Sequence, residues 1–487
     1  MTDASAISPL WQADPVLRAV AGQLLEPQGG LAQPDPSDGA IWGVSIDSRS
    51  VAAGDLFFAI RGERMDGHDF VAPALRQGAA FAVVARERAA ALGADPDVDA
   101  ARLIVVDDVL AAMEDLGRAA RARFMGRVFA VTGSVGKTGT KEMLRLALGA
   151  SGMVHASVAS FNNHWGVPLT LSRTPADLAY AVYEIGMNHP GEIVPLVAQV
   201  RPHVAVITTV EPVHLAFFDS EQEIARAKAE IFTGIEPGGT AVLNRDNRHF
   251  EFLLALARAE GVQVATFGEV ANADTRLVNV DLAPDHSVVE AEVFGTRMSY
   301  QLGAPGRHLV QNSLAVATCL HLAGADVAGG LSALGHLSAP KGRGARLNLA
   351  RDGGHFLVLD ESYNANPASM RAAISLLGTA PLGEGGKRIA VLGDMLELGT
   401  ASEALHAGLA EALIEARIDR VFASGPHMKS LFDALPDKMR GIYATSASGL
   451  QEALLETVAK GDAVMVKGSL GSRMGPLVDL LATRYPA

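Results

Sequence analysis

The chain has 487 residues, a formal charge of −13, 5% aromatic and 20% charged residues, and one cysteine. That length holds about three domains, each with its own core, while the acidic balance excludes non-specific nucleic-acid binding and docking on an anionic membrane. Cys319 leaves no disulfide possible within the chain, no apolar run approaches the roughly 18 residues of a membrane span, and the first ten residues lack a signal-peptide pattern. A cytoplasmic α/β protein without membrane insertion is expected.

In chain order, residues 9–25 read as one amphipathic helix and 26–38 as a Pro/Gly/Gln-rich connector. Short strands are predicted at 42–46, 56–60, 81–84 and 103–106, with helices at 71–77 and 110–124. Two polar clusters, Asp47-Ser48-Arg49 and the run from Arg61 to His68, interrupt them and read most simply as turns. A boundary is expected near Gly126, giving a first domain of residues 1–125.

The next run, Val128 to Val131, is apolar and β-branched and predicts a buried strand. Gly133-Ser134-Val135-Gly136 cannot continue it, and a helix resumes beyond Lys137, Thr138 and Gly139. A glycine loop between strand and helix turns its N–H groups toward one point at the helix start. That arrangement holds phosphate oxygens, with Lys137 supplying charge and Thr138 a hydroxyl for Mg²⁺. ATP is the expected ligand. The spacing, G-x-x-G-K-T, is two residues shorter than the commonest phosphate loop.

Strands at 154–158, 180–185, 204–210, 241–244 and 264–267 alternate with helices in the manner of a parallel sheet. Residues 287–301 alternate around Gly295-Thr296 and predict an added antiparallel hairpin; helices follow at 308–323 and 327–334. The strand ending at Glu184 delivers a carboxylate where an ATPase of this kind needs a Mg²⁺ ligand. Ser220 and Glu223 make a capping box for the next helix. On it Ile224, Ala227, Ile231 and Phe232 share one face, and Lys228 lies on that same face. A lysine there either snorkels to water or is chemically altered, for instance to a carbamate by CO₂ once burial has raised its neutral fraction. A linker is expected at 340–344. From 356 the alternation restarts, with strands at 356–359, 388–392, 420–423, 442–444 and 463–466. The central domain is thus 126–339, and a smaller Rossmann-like domain without a dinucleotide fingerprint spans 340–487.

These residues resemble the ATP-dependent muramoyl peptide ligases of cell-wall synthesis, over nearly the whole chain. Ile46-Asp-Ser-Arg49, Gly54-Asp-Leu-Phe57 and Asp66-Gly-His68 resemble the family's UDP-sugar domain, and Thr132 to Thr138 its short phosphate loop. Asn162-Asn-His-Trp-Gly-Val-Pro-Leu169 follows as in the family. Glu184-Ile-Gly-Met187, Val213-His214 and Ala227-Lys-Ala-Glu-Ile231 are similar to its metal-and-carbamate region. Gly306 to Asn312 and Lys341-Gly-Arg343 resemble its nucleotide and interdomain segments. Asp360 to Pro367 and Val391 to Gly399 are similar to the branch whose acceptor is D-alanyl-D-alanine. Val210-Glu211-Pro212 and the stretched Lys467 to Arg473 depart from the usual pattern.

The resemblance implies that ATP activates the terminal carboxyl of UDP-N-acetylmuramoyl-tripeptide as an acyl phosphate, which the amine of D-alanyl-D-alanine attacks. It implies Thr138 and Glu184 on one Mg²⁺ and His214 on a second, with carbamylated Lys228 as an anion beside it. Asn312 would meet the adenine, while Arg343 and Asp360 close on ATP from the third domain. Ser48, Arg49 and Asn163 are candidates for the UDP-linked substrate, and Tyr363, Asn364 and Asn366 complete the substrate-binding set. A monomer that closes on its ligands is expected. A folyl-polyglutamate type of ligase and a non-catalytic nucleotide-binding paralogue are the alternatives. The Asp-Ser-Arg and Asp-Gly-His motifs weigh against the first, and the presence of Lys137, Glu184, His214 and Lys228 against the second.

Overall fold

Short β-branched runs separated by helices can bury both faces only as parallel strands covered by helices on each side. In the computed structural model, which describes residues 8–25, 31–32, 39–158, 160–212, 216–339 and 341–486, the strands form three main sheets in succession along the chain. The α/β architecture of three units expected from the sequence is the one observed.

The first sheet runs, in spatial order, Leu31–Ala32, Gln23–Leu25, Leu103–Val106, Phe81–Ala85, Asp55–Phe58 and Gly43–Ser45. The single helix expected over 9–25 is not formed. Trp11–Gln12 pairs with Ala40–Ile41, only Ala13–Ala19 is helical, and Gln23–Leu25 joins the sheet antiparallel to Leu103–Val106. Ala21 at φ 49° ends the helix, and Gly22 lies so close to Ile104 and Val106 that no side chain would fit. Pairing with the sheet outweighs local helix preference there. The two polar clusters are turns in which an aspartate caps the backbone: Asp47 accepts from Arg49 N–H at 3.0 Å and Asp66 from His68 N–H at 3.0 Å.

The central sheet has nine strands in the order Val154–Ala156, Tyr180–Glu184, Arg127–Thr132, Val204–Ile207, Thr240–Asn244, Gln263–Gly268, Thr275–Leu282, Ser287–Val293 and Thr296–Leu302. The phosphate-loop strand Arg127–Thr132 lies inside the sheet, with its two faces packed into separate cores around Tyr183 and Phe129. The predicted hairpin is present; Thr275–Leu282, which the sequence reading missed, makes it a three-stranded antiparallel extension. A register shift between Leu277 and Asn279 breaks the alternation that would have marked that strand.

The third sheet runs Ala345–Arg351, Gly354–Glu361, Ala463–Lys467, Arg388–Gly393, Arg420–Ser424 and Arg440–Ala444. Its first strand, also missed, pairs antiparallel with the second through Asp352-Gly353, both at positive φ. The segment that enters it is stitched to this domain: Gly342 N–H donates to Asp360 Oδ2 at 2.8 Å, Gly344 N–H to Asp360 O at 2.8 Å, and Tyr363 N–H to Gly342 O at 3.0 Å. No helix among the described residues is long and apolar enough to cross a membrane.

Candidate active site

The loop after Arg127–Thr132 turns into helix Lys137–Leu148 through two left-handed glycines, Gly133 at φ 147° and Gly136 at φ 88°. A Cβ on Gly133 would overlap the Thr208 hydroxyl, and one on Gly136 would sit 2.7 Å from the Asn312 amide nitrogen. Asn312 is thereby brought against the loop. Ser134 N–H is held by Thr209 O at 2.9 Å, and the Ser134 hydroxyl exchanges hydrogen bonds with the backbone of Glu211. Val135 O accepts from the Thr208 hydroxyl at 2.6 Å, and Gly139 lies one turn into the helix. The loop is braced from the neighbouring strand end on its far side.

Lys137 folds back so that its ammonium donates to Gly133 O at 2.7 Å, across the mouth of the loop. Burial pulls this amine below its ordinary pKa; Glu184 opposes that shift and Arg343 adds to it. Thr138 Oγ1 donates to Glu184 Oε2 at 2.9 Å, and the other carboxylate oxygen accepts from the Asn162 amide at 2.7 Å. Two hard oxygen ligands therefore meet at the phosphate loop, a donor set that suits Mg²⁺, which takes its remaining ligands from phosphate and water. Lys228, on Glu221–Ala229, is 2% exposed and has no hydrogen bond or ion pair among the described residues. Desolvation, and then the charge of nearby Lys137, hold its amine well below the usual lysine value. Snorkelling is thus ruled out. His214 lies outside the described residues.

Arg343 reaches over from the linker: its guanidinium donates to Ser160 Oγ at 2.8 Å and lies 4.2 Å over the Tyr363 ring. Ser160 Oγ is in turn 3.5 Å from Thr138 Oγ1. A cleft opens here, walled by Thr138, Ser160, Lys341, Arg343 and Tyr363. A second, walled by Gly139, Met143, His308, Leu309, Leu337 and Glu361, adjoins it. Its apolar lining with a few polar groups suits a planar base.

Other candidates are placed as follows. Asp360 is 1% exposed and spends both oxygens on Gly342 and Ser362, so it braces the linker. Asn366 caps helix Pro367–Thr379 by accepting from Ser369 N–H at 2.9 Å. Asn364 is exposed, and its carbonyl accepts from buried Lys467 at 3.0 Å. Asn163 Oδ1 accepts from Trp165 N–H at 3.2 Å and Gly166 N–H at 2.9 Å where helix Gly166–Ser172 begins. Arg49 pairs with Asp47 at 2.7 Å and, with Ser48, lies on the first domain's turn; no hydrogen bond among the described residues joins either to the phosphate loop. His68 is a structural clamp: Nδ1–H donates to Asp66 at 2.6 Å while Nε2 accepts from Ala85 N–H at 2.9 Å. Sequence reasoning missed Ser160 and His308. No local signal marked the first; His308, inside the quoted Gly306–Asn312 motif, could have been singled out.

The same organisation recurs in known proteins. The family described as "Mur ligase family, catalytic domain" matches residues 40–122, "Mur ligase middle domain" residues 131–320, and "Mur ligase, glutamate ligase domain" residues 345–470. UDP-N-acetylmuramoyl-tripeptide–D-alanyl-D-alanine ligase of Bacillus subtilis (strain 168) is 34% identical over 457 residues, covering 93% of this chain and 95% of that one. A crystal structure of MurF from Acinetobacter baumannii superposes with a TM-score of 0.81 at 29% identity, covering 97% of this chain and 98% of that one. The MurF ligase of Thermotoga maritima, solved in complex with ADP, gives a TM-score of 0.73 at 26% identity, with 91% and 97% covered. With three matched domains, a braced phosphate loop and this likeness along nearly its full length, the chain belongs to the Mur ligase family.

Proposed function

We propose that the chain is an ADP-forming ligase that joins D-alanyl-D-alanine to UDP-N-acetylmuramoyl-tripeptide, yielding the UDP-linked pentapeptide, ADP and phosphate in the cytoplasm. The observation that carries this reading is the Thr138–Glu184 oxygen pair at the phosphate loop, facing a cleft that Arg343 closes from the third domain. The names of the relatives supply the substrates. A substrate carboxylate oxygen bonds to the γ-phosphorus of ATP and ADP departs. The dipeptide amine then bonds to the acyl carbon, loses a proton, and phosphate leaves.

Lys137 and the loop amides neutralise charge on the phosphates, and Arg343 does so on the transferring group. Mg²⁺, held by Thr138 and Glu184, supplies further charge neutralisation when bound. His214 is the proposed protein ligand of a second ion. Lys228, neutral-prone and without a hydrogen-bond or ion-pair partner among the described residues, is the proposed site of a carbamate, whose anion would sit beside Lys137. The base of ATP is assigned to the cleft of His308 and Leu309 next to Asn312. Ser48, Arg49 and Asn163 are assigned to the UDP-linked substrate, and the turn with Tyr363 and Asn364 to the acceptor side.

The test is ADP release with UDP-muramoyl tripeptide, with and without D-alanyl-D-alanine. Sustained turnover should require all three substrates; turnover indifferent to the dipeptide refutes the assignment. For Lys228, alanine should inactivate and added acetate or propionate should restore part of the rate. An active Lys228→Arg enzyme would defeat the carbamate, since guanidinium does not react with CO₂ at neutral pH.

A further inference from the structure

Three lysines of this chain are at most 2% exposed, and Lys141 is completely so buried. It lies one turn beyond Lys137 and Thr138 on the phosphate-loop helix. Its ammonium donates to Ser157 O at 2.6 Å and pairs with Glu142 Oε1 at 2.6 Å. A buried ion pair is rarely the most stabilising filling for its volume, since apolar residues of similar size often do as well or better. The position of its main-chain partner is what gives it meaning.

Ser157 is itself buried, and its hydroxyl accepts from the backbone N–H of Glu184 at 3.2 Å. Five residues on, Asn162 donates to Glu184 Oε1 at 2.7 Å, and Asn162 O receives Gly186 N–H at 2.8 Å. Ser157 and Asn162 therefore grip Glu184 by its backbone and by its carboxylate, and Ser160 meets Thr138 and Arg343. Lys141 ties that grip to the helix that carries Thr138.

We infer that Lys141 is a positioning residue that, through Ser157, sets the spacing of the Thr138 hydroxyl and the Glu184 carboxylate, and so the Mg²⁺ dependence of nucleotide binding. The inference rests on the reading of Thr138 and Glu184 as Mg²⁺ ligands. Partners that orient metal ligands typically change metal affinity by about 10–100-fold when removed.

The experiment measures ADP affinity of the full chain by titration calorimetry at stepped MgCl₂ concentrations, alongside thermal melting. Lys141→Met should melt at or above the wild type and bind ADP normally without Mg²⁺, but need about tenfold more Mg²⁺ for the same gain in affinity. Ser157→Ala keeps the Lys141 ion pair and loses only the hydroxyl facing Glu184; it should shift the Mg²⁺ requirement in the same direction. Should Lys141→Met fail to fold, Lys141→Gln, without the charge and one bond shorter, takes its place. Wild-type Mg²⁺ dependence in whichever variant folds overturns the inference. Glu184→Gln separates the two levels. If it too leaves Mg²⁺ dependence unchanged, the metal-ligand reading fails; if it alone abolishes that dependence, only the role of Lys141 fails.

Discussion

Helix Val109–Arg123 meets helix Gly166–Ser172 in a dry seam, where Leu169 and Trp165 pack into the first domain's core. Arginines complete that seam. Arg121 donates to Val200 O and Arg201 O, each at 2.8 Å, Arg173 to Val44 O at 2.6 Å, and Arg123 stacks 3.4 Å from the Trp11 ring. Where the third domain meets the central one, polar contacts border the open clefts: Arg343 to Ser160, Arg346 to Pro284 O at 2.8 Å, and Ala216 N–H to Glu397 O at 3.1 Å. The first seam resembles a core and the second a loose interface. On the proposed function, a first domain that only presents one substrate can be fixed, while a third that admits ATP and an acceptor would part and close.

Breaking the dry seam should have the largest effect on stability. Arg121→Met strands the buried carbonyl of Val200 and removes a partner from the part-buried carbonyl of Arg201, and should cost about 2 kcal/mol in a denaturant titration. A loss under about 0.5 kcal/mol would mean that water reaches those carbonyls and that the seam is not dry. The open seam should show the reverse pattern. Arg343→Ala, at a half-buried side chain, should leave melting nearly unchanged and lower turnover about 100-fold. Melting and turnover falling together would make Arg343 a structural tie.

A smaller effect sharpens the contrast through pH. His406, fully buried in the third domain, donates from Nδ1 to Ser402 O at 2.7 Å and accepts at Nε2 from Met395 N–H at 2.9 Å. Asp394 lies 4.0 Å away and the His427 ring 5.6 Å away. Burial, against the pull of Ser402 O and Asp394, holds its pKa below 6.5. The unfolded chain therefore binds the proton first as pH falls, so this contribution to stability is complete above about pH 6.5 and is lost below it. Between pH 7 and 5.5 the wild type should lose on the order of 1 kcal/mol more than His406→Gln. Parallel pH curves for the two would show that His406 does not titrate differently on folding. The smallest signal is overall shape. An ATP analogue with the UDP-tripeptide should reduce the radius of gyration in solution scattering, and an unchanged radius with binding confirmed would mean that the second seam is already closed.

The parts read correctly from sequence are those whose meaning is local. Strand, glycine loop and helix announce themselves within a dozen residues, and the burial of Lys228 follows from its place on an apolar helix face. The parts missed depend on partners far along the chain. Residues 9–25 look helical until Leu103–Val106 is there to pair with Gln23–Leu25. Ser160 is an ordinary turn serine until Arg343 arrives from 183 residues away. Asp66-Gly-His68 resembles a substrate motif, yet the histidine's contacts are with Asp66 and Ala85, which no spacing reveals. Asp352-Gly353 was a legible hairpin signal overlooked beside the glycine-rich linker.

The stitching of Gly342 and Gly344 to Asp360 has a consequence for fidelity. Arg343, caught between them, belongs mechanically to the third domain although its guanidinium bonds Ser160 of the central one. On the proposed role of Arg343 and the proposed closure, it would leave the phosphates whenever that domain swung away. A molecule holding ATP alone, with the third domain apart, would then lack the charge that eases phosphoryl transfer and would spare its nucleotide from wasteful hydrolysis. Two rigid turns of backbone would thus act as an interlock, in which the movement that traps the substrates delivers the group that lets them react.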